Sequence, residues 1–183
     1  MTYSKYSYES RVLHWLREVD NHLTSNRIHY GLFGGAAVAA YVGHLPRKLH
    51  DLDLLLLPND IKEFCSFLCS RGFKEQRSEK SSKAQFKKFV LANHIYDLII
   101  SVFPGKFTLL DVDSKNLRVL GVYDFSAGIK QSRRREIASL SGDQAIGVYA
   151  VPLEDLIVSK IWPTFEPNTV HDLLLLLTCT EAF

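Results

Sequence analysis

Residues 31–57 read GLFGGAAVAAYVGHLPRKLHDLDLLLL. A short apolar, β-prone stretch, Ile28 to Phe33, ends at the glycine pair Gly34-Gly35. Small residues from Ala36 to Val42 then favour a helix. After a basic loop comes Asp51-Leu52-Asp53, at the head of an unbroken leucine run to Leu57. On a strand, residues two apart point to the same face, so the two carboxylates project together. Leu55 and Leu57 continue that face, which puts the acids at the rim of an apolar surface. The leucine run itself reads as a strand covered on both sides.

Outward from this stretch, residues 8–24 carry Val12, Leu13, Leu16, Val19 and Leu23 at helical spacing. Pro58-Asn59-Asp60 opens a second helix, Ile61 to Cys69, that stops near Gly72. Strands are expected at Phe73–Arg77, Ala84–Leu91 and Ile95–Val102, and again at Leu117–Tyr123 and Ile146–Val151. Helices from Leu153 to Ile161 and from Asn168 towards Thr180 close the chain. This order predicts one α/β (α+β) domain over 1–183, with a mixed central sheet flanked by helices. Its core spans 28–125, and a C-terminal helical part spans 152–183.

The chain of 183 residues holds 46% hydrophobic residues, enough to bury a substantial core. A formal charge of +2 gives no general affinity for polyanions. Three cysteines without CxxC spacing argue for a reducing compartment. The first residues, MTYSKYSYESR, lack a signal-peptide core, and no apolar run reaches membrane-span length, so a cytoplasmic protein is expected.

Two adjacent acids raise each other's pKa unless something neutralises them. A divalent cation does so directly, and magnesium takes one or two carboxylates together with substrate phosphates. Asp97, in HIYDLIISV, is a third acid in an apolar strand-like segment, where it needs a partner or a metal. Asp51, Asp53 and Asp97 together would form a two-metal centre for phosphoryl displacement. The alternative makes them turn residues and an edge charge. Gly34 and Gly35 permit close backbone approach, and the helix N-terminus behind them offers N–H groups to phosphate oxygens.

On these residues the chain resembles the DNA polymerase β-like nucleotidyltransferase superfamily. The quoted signature is Gly34-Gly35, the helix Ala36–Tyr41, Asp51-Leu52-Asp53 and a third acid, Asp97. Within it, the chain is most similar to the small type IV toxin nucleotidyltransferases of abortive-infection systems (AbiEii-like). Arg47 stands four residues before the first acid, as is common there. LEDLIVSKIW, with Lys160, and VHDLLLLL, with Asp172, resemble the C-terminal motifs. Two departures stand out: Ala36 and Leu49 replace hydroxyl residues, and leucines fill the place of a second tail acid.

The resemblance implies transfer of a nucleoside monophosphate from a triphosphate to an acceptor hydroxyl on RNA, protein or a small molecule. It implies Mg2+ or Mn2+ held by Asp51, Asp53 and Asp97, and phosphates held by Gly34, Gly35, Ala36, Arg47 and Lys160. It also implies an alternative: a nucleotide- or partner-binding protein of the same fold, such as a toxin or antitoxin component. A basic cluster, Lys130 and Arg133 to Arg135, reads as a solvated loop or as a contact to RNA backbone. Lys80, Lys83, Lys87 and Lys88 form a second such group. Trp15 and Trp162 read as core, and His44 and His50 as surface residues near the site.

Overall fold

The computed structural model describes residues 8–49, 51–76, 86–91, 98–113, 116–139, 144–161 and 167–180. Asp97, His50, Lys80, Lys83 and Trp162 lie outside the described residues.

The periodic apolar positions of the first segment form one buried face of α1 (Tyr8–Ser25). The short strand β1 (Tyr30–Phe33) runs into α2 (Gly34–Val42), whose alanines are all buried. Beyond the basic loop come β2 (Asp51–Leu56) and α3 (Ile61–Ser70). Strands β3 (Lys74–Gln76), β4 (Lys87–Leu91) and β5 (Leu98–Pro104) follow. A hairpin of β6 (Lys106–Asp113) and β7 (Asn116–Asp124) forms a separate two-stranded sheet. A five-residue helix α4 (Ser126–Lys130) precedes β8 (Arg133–Ala138) and β9 (Ala145–Ala150). Helices α5 (Leu153–Ile161) and α6 (Pro167–Thr180) complete the fold.

The main sheet has seven strands in the order β3-β4-β5-β2-β1-β9-β8. It is mixed: β2 pairs with β5 in parallel and with β1 antiparallel, and β1 pairs with β9 in parallel. Because pairing partners share a face, register divides the sheet cleanly. Tyr30, Leu54, Leu56, Phe89, Ile100 and Val102 are among the buried residues of one face. Helix α1 packs on that face, since the Tyr30 hydroxyl donates to Asp20 of α1 at 2.7 Å. Trp15 meets Phe73 edge-on and His22 stacks on Phe67, which ties α1 to α3 and the chain after it. Helix α2 packs against β1 and β2, and α5 and α6 pack onto α2.

One sequence expectation needs correction. The Arg133–Arg135 stretch is not a solvated loop but the edge strand β8. Arg134 reaches the buried Asp20 (Nη2 to Oδ2, 3.1 Å), and the Arg135 guanidinium lies 3.8 Å from the centre of the Tyr41 ring. Two of the three arginines are thus occupied within the fold. Among the described residues, no helix is long and apolar enough to cross a membrane.

Candidate active site

The glycine turn and the acid pair meet because β1 and β2 are adjacent and antiparallel. Register places Phe33, the last residue of β1, opposite Asp53. Gly34 therefore turns over the Asp53 side chain. Its φ of 60° is in the left-handed region, and a β-carbon there would collide with the Asp53 carboxylate. Glycine is required on both counts. The backbone enters α2 extended at Phe33 with no side-chain cap and no acid in the first turn. The first-turn N–H groups have no side-chain cap.

Asp51 is exposed and Asp53 is half-buried, both on the same face of β2. Burial first, and the neighbouring Asp51 charge second, push the Asp53 carboxyl up to about 7. The positive charge of Lys160 and a hydrogen bond from Ser101 oppose that rise. Ser101 lies directly across from Asp53 on β5. A buried carboxyl held protonated in this way would be relieved by a divalent cation, whose charge takes the place of the proton. Paired carboxylate oxygens are the donor type that magnesium and manganese take. Asp97, the third expected ligand, lies outside the described residues.

The two expected cations converge on the same turn. A methyl group at Gly35 would stand 2.8 Å from Arg47 Nη2, so the guanidinium lies against the glycine backbone. Lys160, from α5, faces Asp53 closely enough for its charge to be felt there. What holds both in place is Asp172 of α6, a fully buried acid. It accepts from Arg47 Nε at 3.1 Å and Nη2 at 2.9 Å, and from Lys160 Nζ at 2.7 Å. Burial alone would raise the Asp172 carboxyl, but the hydrogen bonds from Arg47 and Lys160 outweigh it and hold the group below the ordinary range. Sequence reasoning gave Asp172 no role in the site. The available signal was an acid at the head of a leucine run, since a buried acid demands partners.

No known family model matches the chain, and no curated protein matches it. Solved structures do. The lincosamide antibiotic adenylyltransferase LnuA, with lincomycin bound, superposes with a TM-score of 0.59 at 15% identity. That match covers 87% of this chain and 92% of LnuA. ANT(2'')-Ia in complex with adenylyl-2''-tobramycin gives 0.54 at 12% identity, over 94% and 90% of the two chains. An antigenic nucleotidyltransferase-like protein from Paracoccidioides brasiliensis gives 0.52 at 14%, over 91% and 75%.

The fold is that of the nucleotidyltransferases. In the nucleotidyltransferase fold as this chain builds it, Gly34-Gly35, the Asp51 and Asp53 pair of β2, Arg47 and Lys160 come from four separate elements or loops onto one end of the central strands. Ala36 sits in the first turn of α2, and its side chain is fully buried. His44 pairs by an isolated bridge with Ala138, away from the acids in register.

Proposed function

We propose that this chain is a metal-dependent nucleotidyltransferase that moves a nucleoside monophosphate from a triphosphate to an acceptor hydroxyl. One observation carries the reading: the Asp53 carboxylate lies under the Gly34 turn, with Asp51 beside it and Lys160 facing it. Asp51 and Asp53 would hold the cation, and Asp97 is proposed as the third ligand. When bound, a divalent cation neutralises phosphate charge and polarises the reacting phosphoryl group.

The chain's own residues do the rest. Uncapped N–H groups at the start of α2 bind phosphate oxygens, and Gly34 and Gly35 let the phosphates approach. Arg47 and Lys160 offset the charge that accumulates on the departing pyrophosphate. The acceptor oxygen attacks the α-phosphorus, the bond from that phosphorus to the pyrophosphate oxygen breaks, and the acceptor proton passes to a site carboxylate or to water. Positioning and electrostatics supply most of the acceleration in phosphoryl transfer.

Thermal shifts test this reading. Each of the four nucleoside triphosphates, with magnesium or manganese, is added to the wild type and to the Asp51→Asn/Asp53→Asn double variant. At about a hundred times its dissociation constant a ligand adds about 2.7 kcal/mol, several degrees for a domain of this size. A metal-dependent shift in the wild type, absent from the variant, supports the assignment. Lack of any triphosphate response would replace the transferase with a binding protein of the same fold, for which an antitoxin-like partner is then sought.

A further inference from the structure

We propose that Ser101 is a positioning residue for the site: its hydroxyl holds the Asp53 carboxylate turned so that one oxygen, not both, is offered to the cation, which favours magnesium or manganese over calcium. This rests on Asp51 and Asp53 holding a cation, as in the transferase reading above.

Register brings the two side chains together. Ser101 of β5 pairs in parallel with Asp53 of β2, so both stand on the same face of the sheet as immediate neighbours. Asp53 is also the partner of Phe33, the residue before the glycine turn. Its carboxyl group therefore stands between two flanks. On the β1 side, Asp53 Oδ2 lies against Gly34, where a β-carbon would collide with it. On the β5 side, the Ser101 hydroxyl donates a hydrogen bond to the carboxylate. That second flank is rigid: Ser101 is only 5% exposed, and its neighbours Ile100 and Val102 turn to the opposite face and are buried there.

Ser101 is the exception on its strand. Leu98 to Pro104 reads LIISVFP, and Ser101 is the one polar side chain in it. A buried hydroxyl costs free energy unless it is hydrogen-bonded, and the acid across from it supplies the acceptor. Ala36 and Leu49 carry no hydroxyl near the glycine turn; Ser101 brings one to the acids from the neighbouring strand.

The hydrogen bond restricts what Asp53 can offer. A carboxylate held from the side by a fixed donor is not free to turn both oxygens to one ion. Calcium readily takes carboxylates through both oxygens in flexible shells, whereas magnesium demands near-ideal octahedral geometry. Hydrogen-bond partners that orient a ligating carboxylate commonly change metal affinity by about 10- to 100-fold when removed.

The test uses manganese as the probe, bound to the full chain without nucleotide and read by water-proton relaxation, with magnesium and calcium as competitors. The Asp51→Asn/Asp53→Asn variant, which should lose manganese binding, ties the signal to the acid pair. Magnesium should displace manganese from the wild type at lower concentration than calcium. In Ser101→Ala that preference should fall by about tenfold, through weaker magnesium binding and unchanged or tighter calcium binding. Ser101→Thr keeps the hydroxyl and should keep the wild-type preference. A hydroxyl that serves packing alone would, on removal, weaken both ions alike or neither. Either of those results overturns the proposal, as does a wild type without magnesium preference. Melting curves confirm that each variant is folded; Ser101→Cys, a weaker donor of similar size, replaces Ser101→Ala under the same criterion if the alanine variant unfolds. A wild type with the expected ion preference and no metal-dependent triphosphate shift fails the transferase reading and leaves the role of Ser101 standing. A normal triphosphate shift with an unchanged preference in Ser101→Ala does the reverse.

Discussion

Lys160 Nζ lies 2.7 Å from Asp172 Oδ2, and the same carboxylate oxygen accepts from Arg47 at 2.9 Å. Two cations that would repel each other beside the glycine turn are thereby held at fixed distance. Removing the acid leaves two partly buried positive charges uncompensated. Asp172→Ala should cost about 3 kcal/mol, the scale for breaking one side of a buried ion pair. Urea unfolding midpoints check this, and the triphosphate shift should shrink in the same variant because the cations lose their positions.

The same carboxyl gives a pH signature. Its value in the folded chain is held below that of the unfolded chain, with burial opposed and outweighed by the Arg47 and Lys160 hydrogen bonds. The unfolded state therefore binds more protons in acid. The stabilisation is fully present above about pH 4 and is lost as pH falls through the folded value. Asp172→Asn should flatten that acid limb, which melting curves between mildly acidic and strongly acidic buffers will show.

Asp53 has the opposite sign. Burial and then Asp51 raise its carboxyl to about 7, so the folded chain retains a proton that the unfolded chain releases. Metal-free protein should lose stability as pH rises from about 4 towards 7. Asp53→Asn should raise the melting temperature of the metal-free protein at neutral pH by a few degrees and abolish the metal-dependent shift. In the wild type, magnesium binding should strengthen as pH climbs through that range, measured by titration calorimetry.

Gly34→Ala combines a strained backbone with a collision against Asp53. The left-handed conformation alone costs roughly 1–2 kcal/mol for a non-glycine residue. Chemical denaturation should report at least that loss. Metal-dependent stabilisation by triphosphate should disappear even where the variant remains folded.

Arg27 shows the converse. It adopts φ 57° just past α1, where Ile28 N–H donates to Leu23 and Arg27 N–H to Thr24. This is a position that glycine fills without strain. Arg27→Gly should stabilise the chain by about 0.5–1 kcal/mol, the relief of strain being offset in part by glycine's chain entropy. A rise in the melting temperature checks it.

Much of this geometry was legible in the sequence, and the limits have physical causes. Gly34-Gly35 and Asp51-Leu52-Asp53 could be read because strand periodicity fixes their relative direction and their spacing leaves one helix and one loop between them. The β8 strand could not. Arg133-Arg134-Arg135-Glu136 has no apolar alternation, and the partners that hold it, Asp20 and Tyr41, are remote in the chain. The helix α4 has five residues, too few for a period to show. Asp172 heads a leucine run that reads as core, and only the arrival of Arg47 and Lys160 explains a buried acid there.

Strand β9 lies in the sheet between β1 and β8, although it is made more than a hundred residues after β1. During synthesis, one edge of β1 has no neighbour until Ala145 to Ala150 have left the ribosome, and α6 with Asp172 emerges later still. The strand that leads into the glycine turn therefore keeps an open edge through that interval, where it can pair with the wrong strand. A ribosome slowed within residues 116–144 would lengthen that window, and yield of soluble protein should respond to codon speed there more than anywhere upstream.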